Sequence, residues 1–346
     1  MDKHSVIGID LAKRSIQVCL VNTRSNKVIK NKAVSSNKFL EHLSNVKPCR
    51  IFMESCSSAH YWARQLKPMG FEVQLISPQH VVRHRIGQKT DANDALAIAE
   101  AGLRTKMHFV TVKGIEQQNL QALERVRERL VKQKTQVTNQ THGLLLEFGI
   151  VSGRGLKAIK ASISNALEDA ENELTWEMRH LFAEQRDEIN HLHERIVEFT
   201  KRIEHYSQIV SPCKSLTDIR GVGPISAAML YVLLGNGKSF ANGRQAAANI
   251  GLTPKQYSTG GKVSMYGIGK RGNRRAKAVL IRGALAVIAN LGDKQDRLSC
   301  WLRALIARSC VNKAAVALAN KTVRTAWAML RHEQGYNANI AVMTVA

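Results

Sequence analysis

The sequence predicts an α/β domain on a mixed sheet, then a coiled-coil helical spacer, then a mainly helical basic domain. Three observations carry that prediction. The first hundred residues alternate short β-branched runs with helical segments. Two later stretches repeat apolar residues on heptad steps. From Gly221 to Gly292 there is no acidic residue, while lysine and arginine recur. A chain of 346 residues has room for two or three domains, and the composition shifts place them at 1 to 110, 111 to 210 and 211 to 346.

In the first domain, "SVIGI", "SIQVCLV" and "NKVIKNKAV" are short strands joined by tight turns, the pattern of an antiparallel hairpin series. "SNKFLEHLSNV" reads as a helix with a serine cap, "CRIFME" as a strand and "SAHYWARQLKPMG" as a helix closed by Gly70. "FEVQLISP" is another strand, and "KTDANDALAIAEAGL" a helix with small residues available for packing. In the spacer, Leu123, Val126, Leu130, Val137 and Leu144 fall on alternating three- and four-residue steps, with Gln133 and Gln140 filling the seam. Ile189, Leu192, Ile196, Phe199, Ile203 and Tyr206 repeat the pattern. Two long helices therefore pair, with each other or across subunits. In the last domain, three helices are expected near residues 276 to 291, 296 to 309 and 313 to 331.

The 51 basic and 27 acidic residues give a net charge of +24. That surplus predicts a polyanionic partner, because it raises local phosphate concentration and steers encounter. Aromatic residues make up only 5% of the chain, which argues against base stacking as the main mode of recognition. The six cysteines show neither CxxC nor zinc spacing and read as reduced, mostly packed thiols of a cytosolic protein. "MDKHSVIGID" lacks the apolar stretch of a signal peptide, and "AVLIRGALAVIAN" is interrupted by Arg282 and too short to span a bilayer.

Four carboxylates stand at positions of similar character. Asp10 ends the first strand and Glu54 the strand "RIFME", while Asp91 and Asp94 share one face of a helix. If the first and fourth strands are neighbours and the helix packs beside them, the four meet. Gathered carboxylates repel one another, and hard divalent cations, Mg²⁺ or Mn²⁺, resolve that conflict; a pair of them can serve phosphoryl transfer. Taken singly, each acid is equally well a turn, helix-start or surface residue.

The basic domain holds a second constellation. "LTDIRGVGPISAAML" has the form of a helix-hairpin-helix, in which Gly221 and Gly223 permit a tight turn whose amides can meet a phosphate; a simple packing turn is the plainer reading. In "KQYSTGGK", Ser258 sits in a glycine-rich basic segment. Lys255, Lys262, Lys270, Arg271, Arg274 and Arg275 surround it and could neutralise a phosphoryl group. Most serines in such loops are merely polar. Thr259, directly before Gly260, is an alternative hydroxyl, and Ser264 a more distant one.

"GIDLAKRSIQV", "MES" and "KTDANDALAIA" resemble the N-terminal domain of a family of bacterial insertion-sequence transposases related to the Holliday-junction resolvases. The resemblance resumes at "IRGVGPISAAMLYVLLG" and runs through "FANGRQAAANIGLTPKQYSTGGK" to "GIGKRGNRRAKAVLIRGA". It implies an RNase H-like first domain with a metal-binding D-E-D-D tetrad at Asp10, Glu54, Asp91 and Asp94. It further implies a nucleophilic serine, matched to Ser258, that joins covalently to DNA. The subgroup uses a structured non-coding bridge RNA, so donor and target DNA and a guide RNA are the implied partners. The implied assembly is a dimer that becomes a tetramer on DNA, in the bacterial cytoplasm beside the nucleoid. The residues by themselves leave two other readings open: a metal-dependent structure-specific nuclease using water, and a non-catalytic RNA/DNA-binding scaffold.

Overall fold

The structure is a computed structural model and describes residues 2, 4 to 269 and 271 to 338. It contains two compact units. The first comprises Met1–Gln117 with Leu234–Gln245, and the second Gln118–Leu233 with Ala246–Ala346. The spacer helices thus share a unit with the basic helices instead of standing apart.

In the first unit, β1 (Ser5–Leu11), β2 (Ser15–Asn22) and β3 (Lys27–Ser35) form the expected antiparallel series. After α1 (Phe39–Ser44) come β4 (Arg50–Glu54), α2 (Ala59–Leu66) and β5 (Glu72–Ile76). A single turn, α3 (Pro78–Val81), leads to α4 (Asp91–Gly102) and a two-residue strand, β6 (Phe109–Val110). The sheet order is β3-β2-β1-β4-β5-β6, with β4 parallel to β1 and β5 parallel to β4. This mixed six-stranded sheet is consistent with an RNase H-like domain.

Strand alternation divides the core in two. Ile7, Ile9, Ile51 and Met53 face one side with Phe39, Leu43, Ala63 and Leu66 of α1 and α2. Val6, Phe52 and Ile76 join Ala95, Ile98 and Ala99 of α4 in a second cluster. The serine-capped helix differs from expectation. The chain makes a 3₁₀ turn at Ser36–Lys38 before α1, and neither Ser35 nor Lys38 forms a side-chain cap. Leu234–Gln245 belongs to this unit, and its Ser239 is hydrogen-bonded to Thr111.

The second unit is mostly helical. Two long helices, α5 (Ile115–Glu147) and α7 (Trp176–Ile209), flank α6 (Leu156–Glu168). Then follow α8 (Ser211–Leu216), α9 (Pro224–Leu234) and α10 (Gly243–Ile250). The strands β7 (Pro254–Thr259) and β8 (Lys262–Ile268) come next. The last helices are α11 (Arg274–Ala289), α12 (Arg297–Arg308) and α13 (Val311–His332), close to the expected spans.

The long helices pair within the chain, where Leu130, Leu192, Ile196 and Phe199 form one cluster with Leu123 and Val126. The seam is not the predicted one throughout. Glu124, Thr141 and Leu145 are buried, each one residue past a predicted position, whereas Gln140 is exposed. The reason is that α5 serves more than one neighbour. Its Leu120 packs with Cys213 and Ala228, and its Leu145 with Ile159 of α6 and Phe182. Of the cysteines, Cys300 and Cys310 are exposed instead of packed. Burial pushes the Cys19 thiol up to about 11 and the Cys49 thiol up to about 12, which keeps both protonated and unreactive. Among the described residues, no helix is long and apolar enough to cross a membrane.

Candidate active site

The acidic site is built on a close approach. In the parallel β1–β4 pair, Gly8 lies opposite Phe52 and Ile9 opposite Met53. One residue further stand Asp10 and Glu54, on the same face as Gly8 and Phe52. The helix α4 lies directly on that face. A Cβ on Gly8 would sit 2.1 Å from the Ala95 carbonyl oxygen and 2.7 Å from the Ala99 nitrogen, so only glycine admits the helix there. Its first turn, carrying Asp91 and Asp94, is thereby brought to the end of the sheet where Asp10 and Glu54 emerge.

Polar contacts fix that first turn. Thr90 caps α4, its hydroxyl accepting from the Asn93 amide at 3.3 Å. Asn31 of β3 donates to the Ala92 carbonyl at 3.0 Å and accepts from Gln17 Nε2 at 2.6 Å. Gln17 is the β2 partner of Asp10, so a side-chain chain runs from beside the first carboxylate to the helix bearing the last two. Sequence reasoning missed Gln17, Asn31 and Arg85, because their roles depend on residues distant in sequence.

The electrostatics record the gathering of charge. Burial, then the carboxylates of Asp94 and Asp91, hold the Asp10 carboxyl above its usual range. Glu54 is raised by burial and by Asp10 and Asp94, with Lys89 opposing in both cases. Arg85 forms an ion pair with Asp94 at 3.2 Å. Four hard oxygen donors that repel one another suit a divalent cation such as Mg²⁺. Among the described residues, however, no three acidic, histidine or cysteine side chains converge into a ligand set, and Arg85 supplies part of the neutralising charge. Carboxylate oxygens are the donor type a hard divalent cation takes, and here Arg85 pairs with one of them, Asp94.

The segment expected as a glycine-rich loop is instead a β-hairpin. Gly260 and Gly261 have φ of +52° and +77°, the left-handed pair that a tight two-residue hairpin turn requires. Ser258 pairs with Val263 and Thr259 with Lys262, so the two candidate hydroxyls project from opposite faces. Ser258 is exposed, and its Oγ accepts from Gln256 Nε2 at 2.8 Å. At the root of the hairpin lies a groove of about 1070 Å³ lined by Lys255, Gln256, Tyr266 and Arg271. The buried Lys277 donates to the Gly269 and Arg271 carbonyls at 2.8 Å each and pins the loop there.

The other predicted phosphate contacts separate into distinct environments. Lys262 and Arg274 are exposed, while Arg275 is ion-paired with Glu128 at 3.1 Å. Gly221 (φ +87°) is packed so tightly on α11 that a Cβ would meet Val287 Cγ2 at 2.7 Å, whereas Gly223 faces open space. Packing therefore accounts for the first glycine of the hairpin turn. Lys270 lies outside the described residues.

Two family models match the chain. A DEDD transposase model of the IS110 type covers residues 7–150, and one described as transposase IS116/IS110/IS902 family covers residues 213–298. A Pseudomonas aeruginosa protein described as "probable family 20 transposase" is 40% identical over 96% of this chain and 98% of its own length. The transposase for insertion sequence element IS1111A of Coxiella burnetii is 37% identical over 96% of this chain and 91% of its own. The chain belongs to the IS110/IS116/IS902 family of insertion-sequence transposases. The transposase for IS1328 of Yersinia enterocolitica is likewise 37% identical, over 94% and 97% of the two chains. The first transposase model spans all four carboxylates, and the second spans the hairpin with Ser258 and the basic residues around it.

Proposed function

We propose that this transposase cuts and rejoins DNA to move its own insertion element, with the acidic tetrad and the Ser258 hairpin as the two parts of its machinery. The observation that carries the proposal is the packing of α4 on the Gly8 face of β1, with Asp10 and Glu54 raised by burial and then by neighbouring carboxylates, Asp94 and Asp91 acting on Asp10, and Asp10 and Asp94 on Glu54. Mg²⁺, or Mn²⁺ in its place, would be held by these four and would supply charge neutralisation to a phosphoryl group. Ser258 Oγ attacks a DNA phosphorus. The Oγ–P bond forms as the P–O3′ bond breaks, and the serine proton passes to the departing 3′ oxygen. The phosphoserine is then resolved by the 3′-hydroxyl of an exchanged strand, which restores the serine. Lys255, Lys262, Lys270, Arg271 and Arg274 bind backbone phosphate around the hairpin.

Partner selection follows the family resemblance: a structured guide RNA reads sequence by base pairing, and the protein reads backbone. Dimers assemble into a tetramer on DNA. The covalent adduct tests the reading. Incubated with donor DNA, guide RNA and Mg²⁺ and resolved on a denaturing gel, the wild-type chain and Thr259→Ala are expected to form a protein–DNA adduct. Ser258→Ala is expected to form none. Full cleavage by Ser258→Ala without adduct would favour a nuclease using water, and full adduct would move the nucleophile elsewhere.

A further inference from the structure

We infer that the second unit contains an oxyanion site, of the phosphate class, formed by Arg220 and Lys321. Two buried cationic nitrogens there lack a hydrogen-bond acceptor, and both residues line one cavity. Lys321 is 7% exposed, and its Nζ has no hydrogen-bond partner. It lies over the face of Trp301, whose centroid is 5.6 Å away. Arg220 Nη1 donates to Ser299 Oγ at 2.9 Å and meets Asp296 Oδ2 at 3.4 Å, but its Nη2 is buried without a partner. Both side chains line a cavity of about 20 Å³, together with Thr322, Thr325 and Tyr336.

An unpaired buried donor is costly, and more so when charged. Asp296 offsets Arg220 alone and is itself partly occupied by Ser299, whose hydroxyl donates to it at 2.6 Å. One carboxylate thus faces two cationic side chains, while burial, then Arg324, hold the Lys321 ammonium below its usual range. The volume admits a single water-sized atom, the size of one oxygen of an oxyanion. A guanidinium edge, an ammonium and nearby hydroxyls suit directional acceptance by such an oxygen. Neither a tetrad residue nor Ser258 lines this cavity.

Thermal unfolding of the full chain tests it, in inorganic phosphate and in chloride matched for ionic strength. At roughly ten times the dissociation constant, phosphate should raise the melting temperature by about 3 °C over chloride. Lys321→Met should lose that increment while melting at or above wild type without phosphate, since a buried unpaired charge has gone. Lys313→Met, which removes an exposed charge from α13, should keep it. Titration with random duplex DNA at several salt concentrations separates the two sources of phosphate. If Arg220→Gln and Lys321→Met weaken DNA binding and flatten its salt dependence, the occupant is a backbone phosphate; if only the response to inorganic phosphate changes, it is the free ion. An increment kept by Lys321→Met, or matched by chloride, overturns the proposal.

Discussion

At the scale of single residues, Asp10 and Glu124 are two acids whose burial has different consequences. Asp10 belongs to the tetrad, so Asp10→Asn should abolish the covalent adduct while DNA affinity, measured by titration, changes less than about threefold, because phosphate contacts lie in the basic residues. Undiminished adduct would sever the tetrad from the chemistry. Glu124 lies buried in α5 with Oε1 lacking a partner, and burial pushes its carboxyl up to about 7 despite Arg275 and Arg127. A raised carboxyl is neutral in both folded and unfolded chains at low pH. As pH rises from about 4.5 to above 7, the unfolded chain ionises first, and the folded state loses relative stability. Glu124→Gln should therefore melt near wild type at pH 5 and be more stable by about 1–3 kcal/mol at pH 8. A pH-independent difference would refute this. The tetrad acids were legible in the sequence because each falls at the end of an apolar run or in a helix's first turn. Glu124 was not, since nothing local distinguishes a buried glutamate from one on a solvated face.

At the scale of elements, the approach of α4 to β1 rests on the bare Cα of Gly8. Gly8→Ala places a methyl 2.1 Å from a helix carbonyl and should cost about 3 kcal/mol or more, read by chemical denaturation. It should also lower cleavage through displacement of Asp91 and Asp94. Strands and helices of the first unit were readable from alternation and turn residues, but the tightness of this contact was not, because a glycine in a strand has several explanations. The basic hairpin was overlooked for a related reason. Its exposed strands carry no buried face, so β7 and β8 lack the alternation that marks a half-buried strand, although Gly260-Gly261 was the available turn signal. Two neighbouring arginines on α11 illustrate the same limit. Identical in sequence terms, Arg274 is exposed and Arg275 is paired with Glu128. Arg274→Ala should weaken DNA binding and reduce the salt slope by roughly one unit, while Arg275→Ala should chiefly lower stability. Equal salt slopes in the two variants would remove the distinction.

At the scale of the whole molecule, net charge bears on affinity more than on the choice of sequence. A surplus of +24 supplies affinity for any polyanion but carries no sequence information by itself. Few aromatics are available to stack unpaired bases, and of the large side chains exposed on the hairpin Val263 and Met265 offer little beyond contact, while Tyr257 adds one ring and one hydroxyl. A guide RNA that makes the choice by base pairing is what the family resemblance implies, and the composition is compatible with it. The protein purified from a bacterial host carrying the complete insertion element should accordingly retain a discrete structured RNA. Stripped of RNA, it should bind random and donor duplexes with affinities within about tenfold of each other, both falling steeply with salt. Restoring the recovered RNA should produce discrimination of about 10³-fold or more. Sequencing the bound RNA and titrating both duplexes with and without it is the measurement. Site-specific cleavage by the RNA-free protein would place recognition in its own side chains, and the groove at the root of the hairpin, with Gln256, Tyr266 and Arg271, would be where to look for base contacts.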